Sequence, residues 1–372
     1  MSLSYVPVMA AKRGEFTALT NLPDAVANRI IPLFELPAKP PEAVLHEKRI
    51  SKTAVAGGKA WSGRPAFLDI SKWSPDARTE SGIHVLEFAF AQLRAAGIPV
   101  HPVLGYDRWD DPVYSQALKN IRMLHQITPC IRLDLEAIQD DLGDLPYFQG
   151  RIQDMLADLS LGVGNCYVMV DFGDVSKATL PDIIQDTEAA VHALRSMGFS
   201  VVIVAGGSMP AGVNLAVDTP DTEGCIARVE MQAWKAVLTG LKDDQIVFGD
   251  YLIRSPEAVE GVIAPDANAK IRYTIENQFF IVRGHTKKRD SLEIQHKELA
   301  RKLVASAHYM NAAFSWGDSE LLNCSLGIKQ LRDPTSMIAV DSNHHIHMVM
   351  AEVTEHIQKS VGTKITNPTD FA

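Results

Sequence analysis

The sequence predicts an α/β protein: a single (β/α)8 barrel over residues 1–322, with a C-terminal helical appendage over 323–372 packed on it. Three observations predict it. Eight strand candidates alternate with helical patterns roughly every 30–40 residues, the rhythm of parallel βα units. One candidate, residues 199–205 (FSVVIVA), is nearly all apolar, as a strand covered on both faces must be. Most of the others run apolar and then finish in charge, and in a parallel barrel those finishing residues meet at one rim. Eight such units favour a closed barrel over an open doubly wound sheet. No shift in composition marks a second domain.

Taken in order, residues 5–11 are a short extended lead, and residues 12–15 (KRGE) open a helix through Phe16, Leu19, Leu22 and Val26. The first strand candidate is 29–36 (RIIPLFEL), stopped by Pro37. A helix near 44–61 leads to the strand 65–71 (PAFLDIS), and a helix over 81–96 to the strand 98–106 (IPVHPVLGY). An amphipathic helix over 111–127 follows. Residues 128–138 (TPCIRLDLEAI) then alternate Ile131, Leu133 and Leu135 with Arg132, Asp134 and Glu136, the period of an extended segment. A helix over 145–161 precedes the strand 165–171 (NCYVMVD), and a helix over 180–197, stopped by Gly198, precedes 199–205. A helix over 226–241 comes before the strand 245–251 (QIVFGDY), and 270–275 (KIRYTI) reads as the eighth strand, extended by a hairpin through 279–282. Late helices cover 291–310 and 345–361, the second capped from Asp341, Ser342 and Asn343.

Residues 5–8 (YVPV), the KRGE stretch, 31–35 (IPLFE), the turn at 205–207 (AGG), 314–318 (FSWGD) and 343–346 (NHHI) together resemble the phage beta-protein family of phages and bacteria. The resemblance spans nearly the whole chain. It implies a (β/α)8 barrel and brings no assigned catalytic residues.

The formal net charge of -9 argues against broad non-specific nucleic-acid binding, which rewards clustered Lys and Arg. No apolar run spans a bilayer and no signal core opens the chain. Cys130, Cys166, Cys225 and Cys324 lack CxxC spacing and read as buried free thiols in a cytoplasmic protein.

The catalytic candidates are acidic: Glu35, Asp69, Asp134, Asp171, Asp250 and Glu276, each at or near the end of a different strand candidate. Asp69, Asp134 and Asp171 are the metal candidates, because hard oxygen ligands facing one cavity suit Mg2+ or Mn2+. Single acidic residues also end strands as turn formers and N-caps; their recurrence argues for a shared site. Substrate-binding candidates are Lys12, Lys72, His101, Arg132, Gly206, Gly207 and Arg283, with Arg13 and Arg254 at the same level. Arg132 and Asp134 share a strand face, as an ion pair or as a fork for phosphate. His101 is either a core histidine or a ligand, and the two glycines form either a plain turn or a phosphate cradle. Trp73 and Trp109 are placed to stack on a base or to pack, and His285 follows the hairpin. His344, His345 and His347 cluster at a helix start without a third ligand at metal spacing. The sequence therefore supports a metal-assisted hydrolase of a phosphodiester or nucleotide-like substrate, a binding module in phage–host conflict that engages a protein partner, or a small-molecule sensor.

Overall fold

Alternation decides where each strand's residues go, and it closes the ring. The structure, a computed structural model, describes residues 3–38, 45–258 and 268–360. Strands β1 (Tyr5–Ala10), β2 (Leu33–Glu35), β3 (Ala66–Asp69), β4 (Val100–Gly105), β5 (Cys130–Leu133), β6 (Tyr167–Asp174) and β7 (Val202–Gly207) pair in parallel with their neighbours. After the short strand β8 (Glu223–Ala227), strand β9 (Ile246–Asp250) pairs with both β7 and β1 and closes an eight-stranded parallel barrel. Val6, Val8, Leu33, Phe67, Val103, Cys130, Met169, Ile203 and Val247 form an apolar cluster apart from the outer core, the plug inside the barrel.

Helices fill the crossovers. They are α1 (Arg13–Thr20), α2 (Asp24–Ala27), α3 (His46–Trp61), α4 (Val85–Ala95), α5 (Pro112–Leu124), α6 (Leu135–Gln139), α7 (Leu145–Asp158), α8 (Leu180–Ser196), α9 (Val213–Ala216) and α10 (Val229–Leu241). Their starts carry the expected chemistry. Asp111 caps α5 by accepting the Val113 and Tyr114 N–H groups, and Thr179 caps α8 through Asp182. Pro occupies the first turn of both.

The barrel begins earlier than the hydropathy pattern suggests. Its first strand is Tyr5–Ala10, and residues 270–275 are not a barrel strand. They lie in β10 (Asn268–Ile275), which turns at once into β11 (Gln278–Thr286) and pairs with it antiparallel; so short a connection excludes a parallel unit. The sheet order is β10-β11-β8. One face of β10 (Ala269, Ile271, Tyr273) packs into a small core with Leu299 and Leu303 of α11 (Leu292–Ala305), Leu321 of α12 (Trp316–Leu326) and Val340 of α13 (Pro334–Ser360). The structure outside the barrel ring thus starts well before residue 323.

Helix α13 begins well before residue 345, and the expected end at residue 361 lies outside the described residues. Asp341, Ser342 and Asn343 are not its cap but buried residues of its interior. Asn343 accepts the Gly317 N–H and donates to the Ala18 carbonyl, and Asp341 takes the Arg272 guanidinium, so tertiary bonds absorb the polarity that resembles a cap. Asp333 caps the helix instead, accepting the Ser336 N–H at 2.8 Å. No described helix is long and apolar enough to cross a membrane. All four cysteines are free, and Cys225 on β8 is exposed rather than buried.

Gly317 lets α12 lie directly on α13: a Cβ there would press into the Val340 carbonyl oxygen. Gly317→Ala is expected to destabilise the fold by about 1–3 kcal/mol, the usual cost of overpacking. Urea unfolding measures it, and an unchanged midpoint would refute the close contact.

Candidate functional site

Two residues beyond the plug, the barrel interior turns polar. Glu35 follows Leu33, Asp69 follows Phe67, Arg132 follows Cys130 and Asp171 follows Met169, so all four share the inward face. Tyr251, just after β9, joins them. Arg132 is the centre. Its Nη1 donates to Glu35 Oε1 at 3.1 Å and to Asp69, its Nε to Asp171 Oδ2 at 2.7 Å, and its Nη2 to the Tyr251 hydroxyl at 2.6 Å. Tyr251 donates in turn to Asp171 at 2.7 Å.

More cations surround this knot. Arg108 Nη2 donates to Asp69 Oδ1 at 3.0 Å. Arg254 Nη2 lies 3.5 Å from Glu35, and its Nε 3.9 Å from buried Glu15 of α1. Lys72 donates to the Pro256 carbonyl at 3.1 Å. Gly105 occupies the position on β4 where its neighbours carry charge, and a Cβ there would collide with the Arg108 guanidinium. Above the knot opens a cavity of about 350 Å3 whose lining includes Lys72, Asp107, Arg108, Arg132, Asp134 and Tyr251. The Arg108 side chain is only 7% exposed, yet its Nη1 has no hydrogen-bond partner, and its Nε lies 3.3 Å from Asp107 without a bonding angle.

The family model described as Beta protein matches residues 5–351. The chain belongs to the Beta protein family. The Beta protein match takes in every barrel strand, the small sheet and every residue of the mouth named above. Among solved structures the chain is similar to triosephosphate isomerase from Bartonella henselae, at 12% identity and TM-score 0.34, over 66% of this chain and 90% of that one. It is also similar to the DHPS of Yersinia pestis in complex with a pterine-sulfa conjugate, at 11% identity and TM-score 0.37, over 68% of this chain and 88% of that one. No curated protein matches the sequence.

The charges at this Beta protein mouth set one another. Burial pushes the Glu35 carboxyl up, but Arg132, Arg254 and Lys72 outweigh it and hold it below the ordinary glutamate range. Asp69 is likewise buried, and Arg108 and Arg132 hold it low. Burial, with Asp171 and Glu35 nearby, drives the Tyr251 phenol well above its usual range, so it stays a donor. Asp107 moves the other way: partial burial raises its carboxyl, with Asp69 and Asp134 adding to the rise against Arg108.

The remaining candidates disperse. Asp134 does not pair with Arg132; it caps α6, accepting the Ala137 N–H at 3.1 Å, and Glu136 lies on that helix. Asp250 falls on the opposite parity from Tyr251 and faces outward, where Tyr5 and His345 bind it. Glu276 sits exposed on the β10–β11 turn, off the barrel. His101 lies near the start of β4, at the opposite end from the mouth, and accepts the Thr128 N–H at 3.0 Å. Arg283 holds the Val217 and Asp218 carbonyls behind β8. Gly206 and Gly207 end β7 fully buried, with Gly207 packed against Pro256; Lys12 is exposed ahead of α1. Trp73 donates to the Leu36 carbonyl and Trp109 is buried, so both pack. His285 bridges Asp221 and Asp290 beside the small sheet, away from the mouth.

The metal set Asp69, Asp134 and Asp171 does not converge, because the Arg132 guanidinium fills the space between Asp69 and Asp171 and a helix end occupies Asp134. Among the described residues no three or more His, Cys, Asp or Glu side chains are grouped to hold a metal ion. The histidine cluster is committed as well. His344 bonds Asp318 and the Thr274 carbonyl, His345 bonds Thr274 and Asp250, and His347 bonds the Asn343 carbonyl.

Glu35 and Asp69 have folded values below those of the unfolded chain. Their stabilisation is therefore present above the ordinary carboxylate range, near pH ~4, and is lost as pH falls through it. Asp69→Asn is expected to cost roughly 3 kcal/mol at pH 7 and to flatten the fall in stability below pH ~4. Urea unfolding across pH tests this; a decline parallel to that of the unmutated protein would show that Asp69 is not held low.

Proposed function

We propose that the barrel mouth binds a small ligand carrying a phosphate or carboxylate, of nucleotide-like size. The observation that carries this is Arg108: a guanidinium almost wholly removed from water that lines the cavity, with an N–H group left without a hydrogen-bond partner. Such a donor is costly to bury idle, and an anion is its natural acceptor. Lys72 lines the same cavity and adds charge. Arg132, by contrast, is consumed by its carboxylates and serves to position them.

The enzymatic form of this reading is hydrolysis of a phosphodiester or nucleotide-like substrate, with Arg108 and Lys72 on the phosphoryl oxygens. Asp107, a carboxyl raised by burial at the cavity edge, is the group placed to give its proton to the leaving oxygen as that P–O bond breaks; the attacking water forms the new P–O bond and its released proton returns to the Asp107 carboxylate. This chemistry asks the mouth for acid–base and electrostatic work.

The test is thermal unfolding of the purified protein with inorganic phosphate, pyrophosphate and nucleoside monophosphates. A ligand at a hundred times its dissociation constant stabilises by about 2.7 kcal/mol. Arg108→Gln and Gly105→Ala are each expected to weaken binding about tenfold to a hundredfold, the loss of one charge-assisted bond. Asp107→Asn is expected to keep binding and lose turnover. Equal ligand shifts in Arg108→Gln and the unmutated protein would overturn the site, and no shift with any anion would favour a protein-binding surface.

A further inference from the structure

A second cavity, of about 180 Å3, lies on the far side of Arg254 from the mouth. Its lining includes Arg254 and Ser255 from the loop after β9, Lys270 and Arg272 from β10, and Met209 and Pro210 from the loop after β7. Strand alternation explains the pairing of Lys270 with Arg272. Ala269, Ile271 and Tyr273 point into the small core, so residues 270 and 272 share the opposite face and look toward the barrel.

The positive charges here are unequally matched. Arg272 donates to Asp341 at 3.2 Å and to the Ile253 carbonyl at 3.1 Å. Arg254 is held loosely, 3.5 Å from Glu35 and 3.9 Å from Glu15, and its buried Nε lacks a hydrogen-bond partner. Among the described residues the Lys270 ammonium has no ion pair or hydrogen bond. A half-buried ammonium beside two guanidinium groups, with an open cavity in front of it, is an arrangement that an anion would stabilise. The cavity is far larger than one water needs.

We propose that this pocket is a second anion-binding site, taking a phosphate- or carboxylate-sized group between Lys270, Arg254 and Arg272. Lys270 supplies an ammonium without an ion pair among the described residues, Arg254 an N–H without a hydrogen-bond partner, and Arg272 a fixed wall. The site stands apart from the mouth, since its lining does not include Arg108 or Lys72. The state of Lys270 agrees with a pocket suited to an anion: burial and neighbouring Arg272 bring its ammonium down to about 8, against the opposing pull of Asp341. A bound anion reverses this and keeps the amine protonated.

The experiment is amine acetylation of the intact protein near pH 8, read at Lys270 by peptide mass mapping, in phosphate and in chloride of equal ionic strength. Phosphate at ten times its dissociation constant is expected to slow Lys270 labelling about tenfold while leaving exposed lysines unaffected. The protection is expected to persist in Arg108→Gln, which separates this pocket from the mouth. In that same background Lys270→Met is expected to abolish the remaining phosphate-dependent rise in melting temperature, and Lys270→Arg to retain it. Labelling of Lys270 at the same rate in both salts would overturn the proposal. So would a phosphate response unaltered by Lys270→Met.

Discussion

The mouth depends on a single buried guanidinium. Arg132 rises from β5 and binds carboxylates from β2, β3 and β6 together with the Tyr251 phenol, so it ties strands on opposite sides of the ring to one point. A charge withdrawn from water survives only when its partners surround it with good geometry. One cation cannot balance three carboxylates, and the surplus explains what gathers next. Arg108 settles on Asp69, Arg254 on Glu35, and Lys72 contributes at longer range. Glu15 of α1 then meets Arg254 from behind. The alternation of sign runs outward from Arg132, and each member fixes the rotamer of the next.

This logic was partly written in the strands. An apolar residue followed two places later by Glu35, Asp69, Arg132 or Asp171 announces an inward charge above an inward plug, and the structure brings these four together. The same spacing rule, applied strictly, separates Asp250 from them: in β9 the inward residues are Val247 and Tyr251, and Asp250 has the other parity. Asp134 was hidden by a different competition, because a side chain that accepts the Ala137 N–H gains more as a helix cap than as a strand residue. Arg108 left only an indirect signal, the glycine at position 105 that keeps its space open. The barrel's first strand was hard to see because Pro7 and the short run after it resemble a lead segment. Residues 270–275 alternate as well as any barrel strand does, and only their pairing partner tells them apart.

Outside the barrel wall a second buried network joins the ring to α13. Fully buried Arg228 lies between Glu352, Asp250 and Glu230, and His345 links Asp250 to Thr274 of β10. A hydroxyl, an imidazole and a carboxylate in sequence resemble the parts of a nucleophilic triad. Here all three are sealed from solvent and the chain of bonds runs between structural elements, so its work is to register the helix. The polar character of residues 341–345, which reads as a helix start, arises because α13 is clasped on several sides by polar partners rather than by a purely apolar groove.

Arg254 is where the inner and outer halves of the molecule meet. Its guanidinium faces Glu35 on one side and the cavity beside Lys270 on the other, and neither of its carboxylate contacts is close. A group so loosely held has two sets of competitors for one charge. An anion in the proposed outer pocket would compete with Glu35 for Arg254 and leave Glu35 to Arg132. A ligand in the mouth that engages Arg108 draws on the Asp69 side of the same knot. Glu35 and Asp69 meet at Arg132, so on the two proposals above an anion in one pocket would bear on the other, and by linkage equally in both directions. Such coupling would need no hinge or moving domain. It would follow from four carboxylates and three guanidinium groups held within ion-pair distance of one another in a buried site.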